Sequence, residues 1–169
     1  MDDRIRWNER YRAGQGPEKK NARLEKYRGL LKRGLALDLA GGLGQNAQVL
    51  HGWTVVNADI SDEALKQSRG LRVLADAIAL PFARETFDTI ICTKFFEPRI
   101  DYAALLRPNG TIFLETFTLA DLNYRPEFNP AYLLDPGKIA VLFKDFKVLL
   151  CEETDTGARA FATYVGKKR

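Results

Sequence analysis

The chain is poor in the side chains that build redox, metal and disulfide chemistry. Its 169 residues include two cysteines, one methionine and one histidine. Two cysteines cannot frame a disulfide-stapled fold, and one histidine cannot anchor a His/Cys cluster, so no metal site is expected. Cys92 and Cys151 both sit in apolar, strand-like runs, which predicts burial for each rather than a bond between them. His51 stands beside Gly52 at the end of a short helical stretch; solvent exposure is the simpler expectation there than a general base facing a cleft. Long apolar runs are also absent: none reaches the ~20 residues of a membrane span. The opening MDDRIRWNERYR has no apolar leader segment, so a cytoplasmic location is expected. With no repeat, low-complexity tract or linker, the composition suits one soluble domain large enough for a sizeable core.

Charge is present but skewed. The formal net charge is +4, while residues 1–33 alone hold eleven Lys/Arg against five Asp/Glu. A basic arm of this kind can meet phosphates or another anion. A solvated helix face is the simpler reading, because the arm lacks the interleaved aromatics of a nucleic-acid reader. Residues 1–18 read as a leading arm broken at Gly14, Gly16 and Pro17, ahead of a single domain over residues 19–169. Trp7 and Tyr11 lie one helical turn apart, either as an aromatic clamp on the core or as a flap over a ligand site. Residues 18–33 read as an amphipathic helix, with Ala22, Leu24, Tyr27, Leu30 and Leu31 apolar and Gly34 placed to end it.

The organising stretch follows at residues 35–47. An apolar run interrupted only by Asp38 leads into Ala40, Gly41, Gly42 and Gly44, and then into Gln45-Asn46-Ala47-Gln48-Val49-Leu50, which can start a helix. Strand, small-residue turn and helix form the opening unit of a nucleotide-binding α/β domain. The small residues let the backbone turn sharply and leave room for a ligand against the main chain. Further strands are predicted at residues 53–58, 71–75, 87–92, 111–117, 146–152 and 159–165. Helices are predicted at 62–68 (capped by Ser61), 102–106 and 136–143 (with Pro136 at its first position), and residues 118–135 read as an irregular excursion. Strands alternate with helices and then close in an antiparallel hairpin at Asp155-Thr156-Gly157. The pattern predicts a mostly parallel, doubly wound sheet with helices on both faces.

In such a sheet, ligands bind beyond the carboxyl ends of the strands. Those ends carry the glycine turn, Asp59, Asp76, and the run Thr93-Lys94-Phe95-Phe96-Glu97. An acid closing the second strand can accept both hydroxyls of a ribose. A lone aspartate there is as readily a cap or turn former; its conjunction with the glycine turn favours a ligand site.

These residues resemble the motifs of class I S-adenosylmethionine-dependent methyltransferases over roughly residues 30–166. ALDLAGGLGQNA is similar to the family's first motif, with Ala40 where glycine is more usual. VVNADIS is similar to the acidic second motif, ADAIALPFARETFDTIIC to the third and the start of the fourth, and LLRPNGTIFLETF to the segment after the fourth, with Asn109 in place of a glycine. A dehydrogenase fingerprint would need Gly or Ala where Gln45 stands, which argues against a nicotinamide cofactor. The resemblance implies a Rossmann-like α/β sheet of seven strands in the order 3-2-1-4-5-7-6. It implies S-adenosyl-L-methionine as methyl donor and S-adenosyl-L-homocysteine as product. It further implies that Ala40, Gly41, Gly42 and Gly44 approach the methionine part through backbone, and that Asp38 orients the loop or reaches the amino group through water. By the same resemblance Asp59 would hold the ribose, Ile60 would pack on the adenine, Asp76 and the Ala77 N–H would meet the adenine edge, and Thr93 would contact the methionine end, with Phe95 or Phe96 walling the sulfonium. Within the superfamily, Trp7-Asn8-Glu9-Arg10-Tyr11 and the segment FNPAYLLDPG at residues 128–137 resemble the tellurite-resistance methyltransferase-like group.

Methyl transfer from a sulfonium is an in-line displacement whose demands are alignment and water exclusion. A base is needed only where the acceptor must lose a proton. The chain has no Asp/Asn-Pro-Pro-Tyr/Phe motif and no Pro-Cys nucleophile, and Cys92 inside its strand reads as core. Lys94, Glu97 and Arg99 could meet an acceptor, with Lys94 and Glu97 the catalytic candidates; Glu115, Tyr124 and Arg125 could border its pocket. The short connection between the fourth and fifth strands favours a small-molecule acceptor. The alternatives are an RNA methyltransferase using the basic arm, or a cofactor-binding subunit without transfer activity.

Overall fold

The computed structural model describes residues 2–16 and 19–169. Seven strands form one sheet: β1 (Leu35–Leu39), β2 (Thr54–Asp59), β3 (Leu71–Leu74), β4 (Phe87–Thr93), β5 (Leu106–Phe117), β6 (Phe146–Asp155) and β7 (Ala160–Lys168). Their order is β3-β2-β1-β4-β5-β7-β6. The ladders from β3 to β5 are parallel. Only β7 runs against its neighbours β5 and β6. The expected doubly wound sheet with a terminal hairpin is present, and Gly157 (φ +77°) makes the left-handed step in the hairpin turn.

The helices are α1 (Asp3–Arg12), α2 (Ala22–Tyr27), α3 (Asp62–Gln67), α4 (Tyr102–Leu105) and α5 (Ile139–Leu142). Period-2 patterning divides the core between the two faces of the sheet. On one face Ala36, Ile91, Phe113 and Val165 pack with Leu24 and Leu31 from the α2 region and with Val49 and Leu50. On the other, Leu37, Leu39, Ile90, Ile112 and Leu114 pack with Tyr102, Ile139 and Phe143. The middle strands are buried on both faces, which is why they read as continuous apolar runs.

Several elements depart from their expected lengths. The helix expected over residues 18–33 is only α2 followed by a 3-10 turn, Arg28–Leu30. Asn21 sets its start, its side chain accepting from the N–H groups of Arg23 and Leu24. The expected break at Pro17 and start at Glu18 lie outside the described residues. Gly34 does not cap a helix. It holds φ +145° at the start of β1, where a Cβ would strike the Asp88 carboxylate. That carboxylate accepts from the Leu35 N–H and from Arg107, and pairs with Lys32. The helix expected after the glycine turn is only a 3-10 turn, Gln45–Gln48. The arm is more regular than expected, since α1 spans ten residues. Residues 107–110, which fall between the helix expected at 102–106 and the strand expected at 111–117, lie within β5 beside an irregularity in its pairing with β4. Asn109 takes φ +61° there, a conformation asparagine tolerates. Cys151, expected to be buried, is exposed on the edge strand β6, whereas Cys92 is fully buried.

Candidate functional site

The carboxyl ends of β1, β2 and β4 converge on the glycine turn. Ala40, Gly42 and Gly44 all have positive φ, at 53°, 55° and 73°, which explains the demand for small residues and the usual preference for glycine where Ala40 stands. Gly42 is held from both sides. Its N–H donates to Asp59 Oδ2 at 2.8 Å, and its carbonyl accepts from Asn57 Nδ2 at 2.9 Å. Asp59 is 6% exposed, and its other oxygen accepts from the Ser61 N–H. Burial pushes its carboxyl up, against the bonds from Ser61 and Gly42 that favour the charged form.

Asp38 is fully buried beneath the turn. Burial pushes its carboxyl up to about 7, against a hydrogen bond from Asn46 Nδ2. Asn46 also donates to Thr93 Oγ1 at 3.0 Å, so β1, the 3-10 turn and β4 are linked by one side chain. Four buried acceptors around this turn have no partner: Asp38 Oδ2, Gln45 Oε1, Asn46 Oδ1 and Asn57 Oδ1. Buried polar atoms are normally satisfied, so this concentration marks a place built for further polar groups. Asn57 was not singled out from sequence, although asparagine inside an apolar strand was a usable signal. Gln45 and Asn46 read from sequence as the start of a helix, with Gln45 also arguing against a dehydrogenase fingerprint.

The remaining candidates fall into two sets. Ile60 and Ala77 are half-buried near the ends of β2 and β3, while Asp76 is exposed. The Asp76 side chain accepts from the Ile78 N–H and so forms the local turn. Thr93 borders the site through Asn46. Past it, Lys94 is exposed with φ +58°. Glu97 is tied to Arg99 Nε at 2.9 Å, which holds its carboxyl below the usual range. A carboxylate held low in pKa is a weaker base, so the pairing lowers the basicity that Glu97 would bring to an acceptor. Phe96 is buried in the core and Phe95 packs against its margin. Cys92 is core as expected, its thiol pushed up by burial. His51 is exposed.

Glu115 is next to Thr93 in the sheet register. It accepts from Asn21 Nδ2 at 2.7 Å, and burial raises its carboxyl. Arg125 and Arg159 converge on Asp121, which is 1% exposed. Tyr124 bonds Asp155. The excursion after β5 is therefore tied to the hairpin.

The arm docks across this edge. Asn8 Oδ1 accepts from the Ser61 hydroxyl, and Asn8 Nδ2 donates to Asp62 at 2.8 Å. Arg4 and Arg12 pair with Asp62 and Glu63. Tyr11, 8% exposed, lies over the glycine turn, and Arg10 covers Trp7. No group of metal-ligating residues occurs among the described residues, and no helix among them is long and apolar enough to cross a membrane.

Residues 37–108 match the protein-family model described as "Methyltransferase domain". No curated protein matches the sequence. Among solved structures, a protein of Pyrococcus horikoshii OT3 is similar at 22% identity, covering 95% of this chain and 99% of that one with a TM-score of 0.71. A SAM-dependent methyltransferase of Archaeoglobus fulgidus is similar at 17% identity over 99% of this chain and 100% of that one, with a TM-score of 0.68. TehB of Haemophilus influenzae is similar at 16% identity over 96% of this chain and 67% of that one, with a TM-score of 0.70. At these identities the likeness is one of fold and singles out no subgroup. The chain has the fold of the SAM-dependent methyltransferases, with the methyltransferase-domain sequence signature over residues 37–108.

Proposed function

We propose that the protein is an S-adenosylmethionine-dependent methyltransferase acting on a small-molecule acceptor. The observation that carries the reading is the set of unpartnered buried acceptors, Asp38 Oδ2, Asn46 Oδ1 and Asn57 Oδ1, gathered around a left-handed glycine turn at the carboxyl ends of β1 and β2. They suit a ligand with amino and hydroxyl donors, as S-adenosylmethionine has. When bound, that group supplies a methyl on a sulfonium, already activated for displacement. The residues that would hold it are Asp38, Ala40, Gly41, Gly42 and Gly44 at the methionine end, with Thr93 beside them. Asp59 and Ile60 would serve the ribose and adenine, and Asp76 with Ala77 the adenine edge. Asp38, its carboxyl pushed up to about 7 by burial, would orient the turn from beneath.

The protein's own task is alignment and exclusion of water. With Glu97 paired to Arg99, Lys94 remains the side chain after β4 free to meet an acceptor. An acceptor that already carries a nucleophilic lone pair, such as a thiolate or oxyanion, suits a site with no evident base. The resemblance of Trp7-Asn8-Glu9-Arg10-Tyr11 and of residues 128–137 to the tellurite-resistance methyltransferase-like group is what supports a place near that group.

The arm's charges weigh against RNA as acceptor. Arg4, Arg12, Arg23 and Lys32 are in ion pairs with acids outside residues 1–33, so the net charge of that stretch overstates what a phosphate backbone would meet. Calorimetry with S-adenosylmethionine and S-adenosylhomocysteine tests the reading: a folded sample that binds neither refutes it. Radiolabelled methyl transfer to thiols, oxyanions and total RNA then separates a small-molecule enzyme from an RNA enzyme. Tight binding without transfer to any acceptor or to cell extract would favour a non-catalytic subunit.

A further inference from the structure

The glycine turn uses its own donors internally. The Gly41 N–H donates to the Ala58 carbonyl at 3.4 Å, the Gly42 N–H to Asp59 at 2.8 Å, and the Gly44 N–H to the Gly41 carbonyl at 2.9 Å. The turn therefore cannot serve a ligand carboxylate through these three groups, and Asp38 and Asp59 lie close by. An anionic group placed there needs a donor from elsewhere to offset its desolvation.

α1 supplies such a donor. The Tyr11 ring packs where Gly16 leaves room for it, beside Leu43, and its hydroxyl occupies the space that a Cβ at Gly42 would take. The hydroxyl makes no hydrogen bond among the described residues. Burial and the charge of Asp59 keep its proton on, so it acts as a donor. Its position is set by the docking of Asn8 on Ser61 and Asp62, which fixes α1 against α3 one helical turn away.

We propose that the Tyr11 hydroxyl donates a hydrogen bond to the amino-acid carboxylate of the bound cofactor, making the leading arm part of the cofactor site. The inference rests on the methyltransferase reading above. It accounts for a buried phenol aimed at a glycine, and it makes cofactor binding depend on the arm being docked.

The test is calorimetry on the full chain with two probes, S-adenosylhomocysteine and 5′-methylthioadenosine. The second keeps the adenosine and the sulfur but lacks the amino-acid carboxylate together with its ammonium, and an ammonium can accept no hydrogen bond from a phenol. Tyr11→Phe keeps the ring that packs on the turn, and an unchanged melting temperature shows that the fold is intact. The expected result is about a tenfold loss of S-adenosylhomocysteine affinity, the size of one hydrogen bond to a charged group, with 5′-methylthioadenosine unaffected. Wild-type affinity of Tyr11→Phe for S-adenosylhomocysteine overturns the inference and leaves the methyltransferase reading standing. Equal losses for both probes also overturn it, since the hydroxyl would then serve the nucleoside. A folded wild-type protein that binds neither probe overturns the reading and the inference together.

Discussion

Asp38 shows what one buried carboxyl does to the pH dependence of the whole protein. Unfolded, it titrates near 4; folded, it is pushed up to about 7. Below pH 4 both states hold the proton and nothing is lost. As pH rises from 4 to 7 the unfolded chain releases its proton while the folded chain retains it, so stability falls, and above 7 the loss is complete. Asp38→Asn removes this titration while keeping an acceptor for Asn46. Its melting temperature is expected to change less between pH 5 and pH 8 than that of the wild type; parallel curves would mean that Asp38 is ionised in the fold. Asp59 carries a different expectation. Asp59→Ala leaves the buried N–H groups of Gly42 and Ser61 without their acceptor, at a cost of about 1–3 kcal/mol each at most. The variant should fold, melt several degrees lower, and bind S-adenosylmethionine more weakly; unchanged affinity would place the ribose elsewhere. The acids at the strand ends were legible because strand, small-residue turn and acid recur at fixed spacing. Asn57 was not, because its role depends on where the Gly42 carbonyl points, which spacing does not reveal.

Among the elements, every strand was legible in place, although β5, β6 and β7 extend beyond their expected ends, and the helices were not. A strand buried on both faces announces itself as an apolar run, whereas the 3-10 turn at Gln45–Gln48 and the short α2 are fixed by tertiary contacts rather than by periodicity. Gly34 was assigned a helix-ending role because Gly after an apolar-periodic stretch usually has one. Its actual constraint is the Asp88 carboxylate, from a strand fifty residues away. Gly34→Ala is therefore expected to destabilise the protein by about 2 kcal/mol or more, combining a strained positive φ with a displaced carboxylate. Chemical denaturation measures it, and a loss under 0.5 kcal/mol, by the usual scale of surface substitutions, would contradict this account. α1 is held by polar contacts on one side. Asn8→Ala removes the acceptor of the Ser61 hydroxyl and the donor to Asp62. The arm should be released faster by limited proteolysis, while the melting of the remaining domain shifts little.

For the whole molecule, the seven-strand order follows from parallel crossovers that end in a hairpin, and the terminal β6–β7 ladder was visible as two runs around a Gly turn. Net charge carries less at this scale than it does in composition. A solvated helix face was the simpler expectation for the basic stretch, yet Arg4, Arg12, Arg23 and Lys32 are answered from elsewhere in the fold by Asp62, Glu63, Asp88, Glu115 and Glu152. Pairing across fifty or more residues cannot be read from composition.

The sheet is open, so β3 and β6 leave unpaired backbone edges. β3 has only four residues and offers little to an incoming strand. β6 is longer, at ten residues, but its pairing with β7 slips between Val148 and Leu150, and it carries Lys147, Glu152 and Glu153. A second chain approaching that edge would meet hydrogen-bonding groups out of phase and charges of both signs. The irregular ladder of β6 thus guards the protein against edge-to-edge aggregation at high concentration.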